Sequence, residues 1–333
     1  MANVTSHAPR PLVVRIRNWV GDVVLGLPAL RLLQDHGYAL QIVARGGWAP
    51  TLLAGYGWPV HVQPGTMAAK LQQLRGLRRQ CAGLDAGFNQ RDNALLLPVS
   101  FSSALEMRLA GLRAVGVARE GRSLLLARAV PWAQTGHELE RYWDVACRFL
   151  GLQQAPPARI NFQLAPSAAA QAAELLAAHG IQGRFVMVCP FAAGRAATAD
   201  KADKKWPAFA DFVRQGSLQL GLPLLIYPGP GEHAAAREIY PAAQMLEGSN
   251  LAVYAALLQR AALVVANDTG PAHMAAALGT PLISLMGPTD AARWAPWGDT
   301  VHTLQRPPRN GKTDWPDAQE ALALAQQLLG SGR

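Results

Sequence analysis

Apolar positions along this 333-residue chain alternate between short continuous runs and longer stretches of helical spacing. Leu12 to Ile16, broken only by Arg15, predicts a buried strand; a polar loop from Arg17 to Asp22 follows, and a helix then runs through Leu33. Gln41 to Ala44, Ala94 to Pro98 and the residues around Val115 to Val117 predict further strands. Helices are expected over Ala68 to Cys81, Ser102 to Ala110 and Glu138 to Leu150. Gly151 to Pro166, with prolines at 156, 157 and 166, reads as a linker leading to a helix at Ser167 to His179. The alternation then resumes: strand Phe185 to Cys189, helix Pro207 to Gln219, strand Pro223 to Tyr227, and helices His233 to Ile239 and Leu251 to Gln259.

The stretch 263–287, LVVANDTGPAHMAAALGTPLISLMG, is the most informative in the chain. A β-branched run ends at Asn267-Asp268-Thr269-Gly270, Pro271 opens an Ala-rich helix that Gly279 closes, and a second apolar run reaches Met286. Proline suits the first helical turn, where its missing N–H costs nothing, and the remaining free amides of that turn form an anion site suited to a diphosphate. Asp268, Thr269 and His273 add a carboxylate, a hydroxyl and an imidazole beside it. The plainer reading of Asp268 is a helix cap.

The alternation predicts an α/β fold of two doubly wound, Rossmann-like domains, over residues 1–160 and 161–315. Such domains bind ligands at the carboxyl ends of their strands, so the two are expected to face an interdomain cleft. A last helix, Asp317 to Leu329 within 316–333, is expected to cross back and brace the first domain.

Composition narrows the chemistry. Cys81, Cys147 and Cys189 are far apart with no CxxC spacing, and no HExxH occurs. A reducing compartment is expected and no metal site, with His137 and Glu140 an ordinary polar pair. Charges interrupt every apolar stretch before it reaches the about 18 residues of a membrane span. Arg15, Arg17 and Asp22 break the one near the start, so neither signal peptide nor anchor is expected and the location should be cytoplasmic. The net charge is +9, and residues 1–165 hold 18 Lys and Arg against 9 Asp and Glu, whereas residues 166–333 hold 13 of each. A basic first half suits a phosphorylated substrate, an anionic membrane surface or nucleic acid. Nucleic acid has the least support, for no binding motif accompanies the charge. Lys70, Arg75, Arg78 and Arg79 share a segment with Leu71, Leu74 and Leu77, which predicts a basic amphipathic helix able to lie on a membrane.

Four strand-end loops carry the polar residues: Gly21-Asp22, the lysine-rich run ending Lys204-Lys205-Trp206-Pro207, Gly229-Pro230-Gly231-Glu232-His233, and Asp268 to His273. With their order, with Leu27-Pro28-Ala29-Leu30, and with the late Gly287-Pro288-Thr289-Asp290 and Trp294-Ala295-Pro296-Trp297-Gly298, the chain resembles the family 9 glycosyltransferases, whose best-known members are ADP-heptose:lipopolysaccharide heptosyltransferases. That resemblance implies a GT-B fold, inverting transfer of heptose from an ADP-sugar donor, no cofactor, and an acceptor that is a phosphorylated glycolipid bound by the N-terminal domain at the cytoplasmic face of the inner membrane. It makes Asp22 the base, Lys204 a partner of the phosphate charge, Glu232 a ribose ligand, and Asp268, Thr269, Gly270 and His273 the loop that holds donor sugar and diphosphate. With no DxD-like pair to hold Mg²⁺, metal-independent chemistry is expected.

Rival readings stand beside these. Asp22 would serve equally as cap of a helix starting at Val23, and Glu232 as a first-turn dipole residue. Lys201 and Lys205 compete with Lys204, and Ser249 stands where an adenine-contacting loop is expected. Gly229-x-Gly231-x-x-Ala234 after Leu224 to Tyr227, with Glu247 further on, is a weak dinucleotide fingerprint that would suit a nicotinamide-dependent oxidoreductase. A non-catalytic lipopolysaccharide-assembly module that kept the nucleotide site is the other alternative, opposed by the presence of Asp22 and Lys204.

Overall fold

The structure, a computed structural model, describes residues 9–132, 135–192, 204–248 and 250–330. The chain divides into two compact units, Met1–Pro157 and Ala158–Arg333, with the division inside the proline-rich segment.

Unit 1 runs β1 (Arg10–Arg15), α1 (Val20–Asp35), β2 (Tyr38–Ala44), α2 (Ala49–Leu52), β3 (Val60–Val62), α3 (Met67–Leu84), β4 (Ala94–Leu96), α4 (Phe101–Leu109), β5 (Ala114–Val117), β6 (Arg128–Val130) and α5 (Glu138–Leu150). Its sheet is wholly parallel in the order β3-β2-β1-β4-β5-β6. The chain winds outward from β1, then returns to β1's other side as β4, so the topological switch lies between β1 and β4. On one face Leu74, Leu77 and Cys81 of α3 and Ala104 and Met107 of α4 pack against Val13, Ala94, Leu96 and Ala114. α1 is buried on nearly every side, as its apolar circumference requires, and packs against α5.

Unit 2 repeats the winding: α6 (Ala168–Ala178), β7 (Val186–Cys189), α7 (Phe209–Gln219), β8 (Leu224–Ile226), α8 (His233–Ile239), β9 (Gln244–Met245), α9 (Leu251–Arg260), β10 (Leu263–Asn267), α10 (Gly270–Leu278), β11 (Leu282–Leu285), α11 (Ala291–Trp294), β12 (Val301–Leu304) and α12 (Ala318–Gly330). The order β12-β11-β10-β7-β8-β9, again parallel, puts its switch between β7 and β10.

The packing bears on three expectations. The final helix braces its own unit: Ala318, Ala321, Leu322, Ala325 and Leu329 of α12 join Trp206, Phe209, Phe212 and Val265 in the core of unit 2. α1 begins at Val20, three residues before the expected start, so Asp22 lies within its first turn and not ahead of it. In the basic helix α3, Leu74 and Leu77 pack into the core, while Leu71 is half-buried and Met67 and Leu84 are exposed. Three of its cations are engaged: Lys70 Nζ lies 3.0 Å from Glu106, Arg75 donates to the Leu109 carbonyl at 3.2 Å, and Arg78 Nε donates to Asn89 at 2.8 Å. Among the described residues no helix is long and apolar enough to cross a membrane.

Candidate active site

At the switch point of unit 1, the side chain of Asp22 turns away from the amides of its own helix. The N-cap of α1, Trp19, makes no side-chain cap, and Asp22 Oδ1 instead accepts from Arg17 Nε at 3.3 Å and from the Tyr142 hydroxyl at 2.8 Å. Both contacts fall on the same oxygen. Tyr142 comes from α5 and passes beside Gly26, one turn beyond Asp22, where a Cβ would crowd Leu97 at 3.2 Å and meet the tyrosine ring at an ordinary 3.9 Å. Burial, and next the charge of Asp22, push the Tyr142 phenol well above its ordinary pKa. The phenol therefore stays protonated and donates. The capping reading of Asp22 has no hydrogen bond to support it.

At the switch point of unit 2, β10 ends in Asn267, fully buried after four apolar residues. A buried amide must be satisfied at both ends, and it is. Asn267 Oδ1 accepts from the Trp206 backbone N–H at 2.9 Å, and Nδ2 donates to the Pro190 carbonyl at 2.7 Å. Trp206 is further fixed by its indole N–H, which donates to the Pro316 carbonyl at 2.7 Å. Two residues before this anchored tryptophan, Lys204 Nζ donates to Asp268 Oδ2 at 2.8 Å. The other carboxylate oxygen lies 3.7 Å from His273 Nε2. Burial alone would raise the Asp268 carboxyl, but His273 and Lys204 together hold it well below the usual carboxylate range, so it is charged at neutral pH.

These groups surround the start of α10. Its N-cap, Thr269, makes no side-chain cap, since its hydroxyl donates to the Asn267 carbonyl at 3.2 Å, and Pro271 has no N–H to satisfy. Asp268 bonds Lys204 in place of the helix amides, against the capping reading. The first turn is thus left with open amides, an ammonium and an imidazole, a set able to hold a diphosphate. His273 is one turn from Thr269, whose carbonyl its N–H meets at 3.3 Å, and its Nδ1 is buried with no hydrogen-bond partner among the described residues.

Glu232 is the N-cap of α8, and its Oε2 accepts from the Gly229 N–H at 2.8 Å, so the carboxylate folds back over its own turn. This loop follows β8, one strand out from the switch point of unit 2. A dinucleotide fingerprint belongs after the first strand, at the switch itself, where the pyrophosphate meets the helix. The nicotinamide reading of Gly229 to Ala234 therefore lacks its structural context.

The structure brings Lys204, Asp268, Thr269, Gly270 and His273 together, and gives Asp22 and Glu232 their own local settings. Lys205 is exposed next to Lys204; Lys201 and Ser249 lie outside the described residues. His137 and Glu140 form a capping box at the start of α5, with Glu140 accepting from the His137 N–H at 2.8 Å. Among the described residues no group of three or more His, Cys, Asp and Glu side chains is placed to hold a metal ion. Sequence reading missed Asn267, Arg17 and Tyr142. Asn267 carried a signal, a polar residue closing an otherwise apolar strand, whereas Tyr142 stands 120 positions from its partner.

Comparison with known proteins places this arrangement. The model of glycosyltransferase family 9 (heptosyltransferase) matches residues 86–316. A lipopolysaccharide heptosyltransferase 3 of Escherichia coli is 50% identical over 46 residues, a match spanning 14% of this chain and 14% of that protein's length. Among solved structures, E. coli ADP-heptose lps heptosyltransferase II superposes with a TM-score of 0.78 at 22% identity, covering 97% of this chain and 99% of the other. E. coli heptosyltransferase WaaC with ADP-2-deoxy-2-fluoro heptose gives 0.68 at 21% identity, covering 95% and 99%. The fold is the GT-B fold of those structures, and with its family model matched over most of its length the chain belongs to glycosyltransferase family 9.

Proposed function

We propose that this protein is an inverting heptosyltransferase that moves a heptose from an ADP-sugar to a phosphorylated glycolipid of the lipopolysaccharide inner core, at the cytoplasmic face of the inner membrane. Family membership and the names of its relatives support the reaction class. The observation that carries the reading is the Lys204–Asp268 pair set beside the uncapped first turn of α10. A nucleoside diphosphate brings negative charge that such a turn attracts, and the likeness in fold to WaaC, solved with ADP-2-deoxy-2-fluoro heptose, supports such a donor.

In this reading an acceptor hydroxyl attacks the anomeric carbon, the bond from that carbon to the diphosphate oxygen breaks, and ADP leaves with the bonding electrons. Asp22 takes the acceptor's proton on Oδ2, since Oδ1 is engaged by Arg17 and Tyr142. Lys204, the α10 amides and His273 take up the charge that grows on the departing diphosphate, with no metal required. Asp268 holds the Lys204 ammonium in place, and Glu232, with one oxygen on Gly229, offers its other oxygen to a ribose hydroxyl. A single displacement inverts the anomeric centre and needs base and leaving-group stabiliser on opposite sides of the sugar.

The test is a thermal-shift series with ADP, ADP-heptose and other nucleotide sugars, followed by transfer assays with the strongest ligand. A donor at 100 times its dissociation constant stabilises the fold by about 2.7 kcal/mol. Stabilisation by ADP-heptose and by ADP, with inverted product on transfer, is the expected result. No response to any ADP-sugar would overturn the assignment.

A further inference from the structure

We propose that the outer flank of the α3–α4 layer of unit 1 rests on an anionic lipid surface, held there by charge. The proposal rests on the reading above and deepens it, by naming which face of the protein meets the membrane that carries its acceptor. A difference in charge between the two faces of the unit 1 sheet carries it. Right-handed crossovers place α3 and α4 on one face and α1 on the other, where α5 packs against α1. On α1 and α5 the charged side chains that reach solvent are mixed, Arg31 and Arg148 against Asp35, Glu140 and Asp144. On α3 and α4 they are Lys70, Arg75, Arg78, Arg79 and Arg108, and the single carboxylate of the two helices, Glu106, is buried against Lys70.

The four arginines keep their charge. Carboxylates close to them in sequence are taken elsewhere, Asp85 by Arg91 and Asp92 by Arg113 and Arg128. The groups that engage Arg75 and Arg78 are neutral. Arg75 donates to the Leu109 carbonyl and Arg78 to the side-chain oxygen of Asn89, and the Arg78 guanidinium lies against Gly111, where a Cβ would stand 2.7 Å from it. Both side chains thus reach the end of α4, which bears Arg108 as well. The carboxyl end of a helix offers roughly half a negative charge, so three cations gathered there stay mostly uncompensated. Arg79, one turn on from Arg75, extends the row along the solvent side of α3. Such a surface draws an extended anionic partner. Lipid fits it better than nucleic acid does. Leu84 and Leu109, the last residues of the two helices, are exposed beside the arginines, as suits a headgroup boundary, and α3 has no aromatic side chain on which a base could stack. A bilayer on this flank also leaves the carboxyl edge of the sheet, with Asp22, open to the acceptor's sugars.

Co-sedimentation of the full chain with vesicles tests the proposal, using phosphatidylglycerol mixed with phosphatidylcholine and phosphatidylcholine alone. The parent should bind the mixed vesicles better and lose that preference as salt rises. Arg79→Gln with Arg108→Gln removes two exposed cations of the flank and should weaken binding about fivefold for each. Arg148→Gln with Arg214→Gln, on α5 and α7, lowers the net charge equally and should bind as the parent does. All four side chains are exposed, so unchanged melting temperatures control for folding. Transfer to an acceptor held in mixed vesicles should slow in the Arg79/Arg108 variant, and transfer to a delipidated acceptor should not. The proposal falls if the parent shows no preference for anionic vesicles, if the Arg79/Arg108 variant binds like the parent, or if the Arg148/Arg214 variant loses as much. It falls also if the Arg79/Arg108 variant slows transfer to the delipidated acceptor, which would make these arginines part of acceptor binding, or if a DNA duplex displaces the parent from mixed vesicles, which would make the flank a nucleic-acid surface. Stabilisation by ADP-heptose and ADP is measured on the same proteins and should not differ among them; its absence in the parent would sink the glycosyltransferase reading whatever the vesicles show.

Discussion

Each unit places one buried aspartate at its switch point, and the two are held in different ways. In unit 1, Asp22 receives an arginine and a tyrosine on a single oxygen, Oδ1, and among the described residues has no partner on Oδ2. In unit 2, Asp268 is engaged on both sides, by Lys204 on Oδ2 and by His273 near Oδ1. A carboxylate with one oxygen open can accept a proton from a substrate, while one set between a lysine and a histidine serves to fix those side chains. One residue type at one topological position thus supports two roles, and the partners decide which.

The sharpest break of this comparison is Asp22→Asn. The amide keeps the shape and removes the proposed base, so on that proposal transfer should fall by about a hundredfold to ten-thousandfold while donor affinity stays near that of the parent. Turnover within about threefold of the parent would return Asp22 to a structural role, an outcome its lack of any helix-amide bond already speaks against. In unit 2 the counterpart is Lys204→Ala, which in the proposed mechanism removes the cation that meets the leaving diphosphate. Here kcat should drop by about a hundredfold to a thousandfold, the usual cost of losing one transition-state charge partner, with a smaller change in donor KM. Lys205→Ala, at an exposed neighbour, should leave both nearly unchanged; the reverse pattern would exchange the two roles.

How far these sites could be read from sequence follows the same contrast. The unit 2 loop was legible because its residues are contiguous: strand, Asp268-Thr269-Gly270, proline and His273 lie within one supersecondary unit whose spacing announces an anion site. Asp22 was legible by position, but its setting was not, because Arg17 and Tyr142 converge only after α5 packs on α1. The strands divide similarly. Those at the centre of each sheet are buried on both faces and read as apolar runs. β3, β6, β9 and β12 went unread, and all four are sheet edges whose residues are half-exposed or polar, as in Arg128–Val130 and Gln244–Met245. α12 and α3 show a further gap. Amphipathic spacing says that a helix has an apolar stripe, and only the packed core says what covers it.

Asn267 sharpens the unit 2 side at smaller cost. Asn267→Ala would strand the Trp206 N–H and the Pro190 carbonyl, two buried groups whose loss of partners together costs about 2–4 kcal/mol. For a unit of this size that is a fall in melting temperature of about 5–15 °C. Because Trp206 anchors the segment bearing Lys204, kcat should decline as well, and it should decline less when Lys204 is already alanine. Full additivity in that double mutant would separate Asn267 from the placement of Lys204.

The Asp268 ion pairs should show in acid. The folded carboxyl is depressed relative to the unfolded one, so its contribution is complete above the ordinary carboxylate value and is lost as pH falls from there through the folded value. Asp268→Asn should therefore melt below the parent at neutral pH, and the gap should narrow once pH drops under about 3.9. A gap that is constant with pH would mean that the carboxylate's charge contributes nothing to unit 2.

Tyr142→Phe is the mildest change and the most specific to the Asp22 side. It leaves the ring against Gly26 and deletes only the hydroxyl that donates to Oδ1 at 2.8 Å. A hydrogen bond to a charged group is worth about 1.5–3 kcal/mol, but Arg17 continues to hold the same oxygen, so part of the orientation survives. The expected result is a drop in kcat of about tenfold, with donor KM unchanged. If the hydroxyl acts by aiming Oδ2 at the acceptor, its loss should cost nothing more in an Asp22→Asn background, where there is no base left to aim. If it serves only to satisfy a buried carboxylate, the melting temperature should fall while kcat holds, and that fall should shrink in the Asp22→Asn background, where no carboxylate is left to satisfy. Measuring kcat and melting temperature for the two single variants and the double one separates the alternatives, and it asks of unit 1 what the Asn267 and Lys204 pair asks of unit 2: whether the residue behind the catalytic group sets its position or merely fills its surroundings.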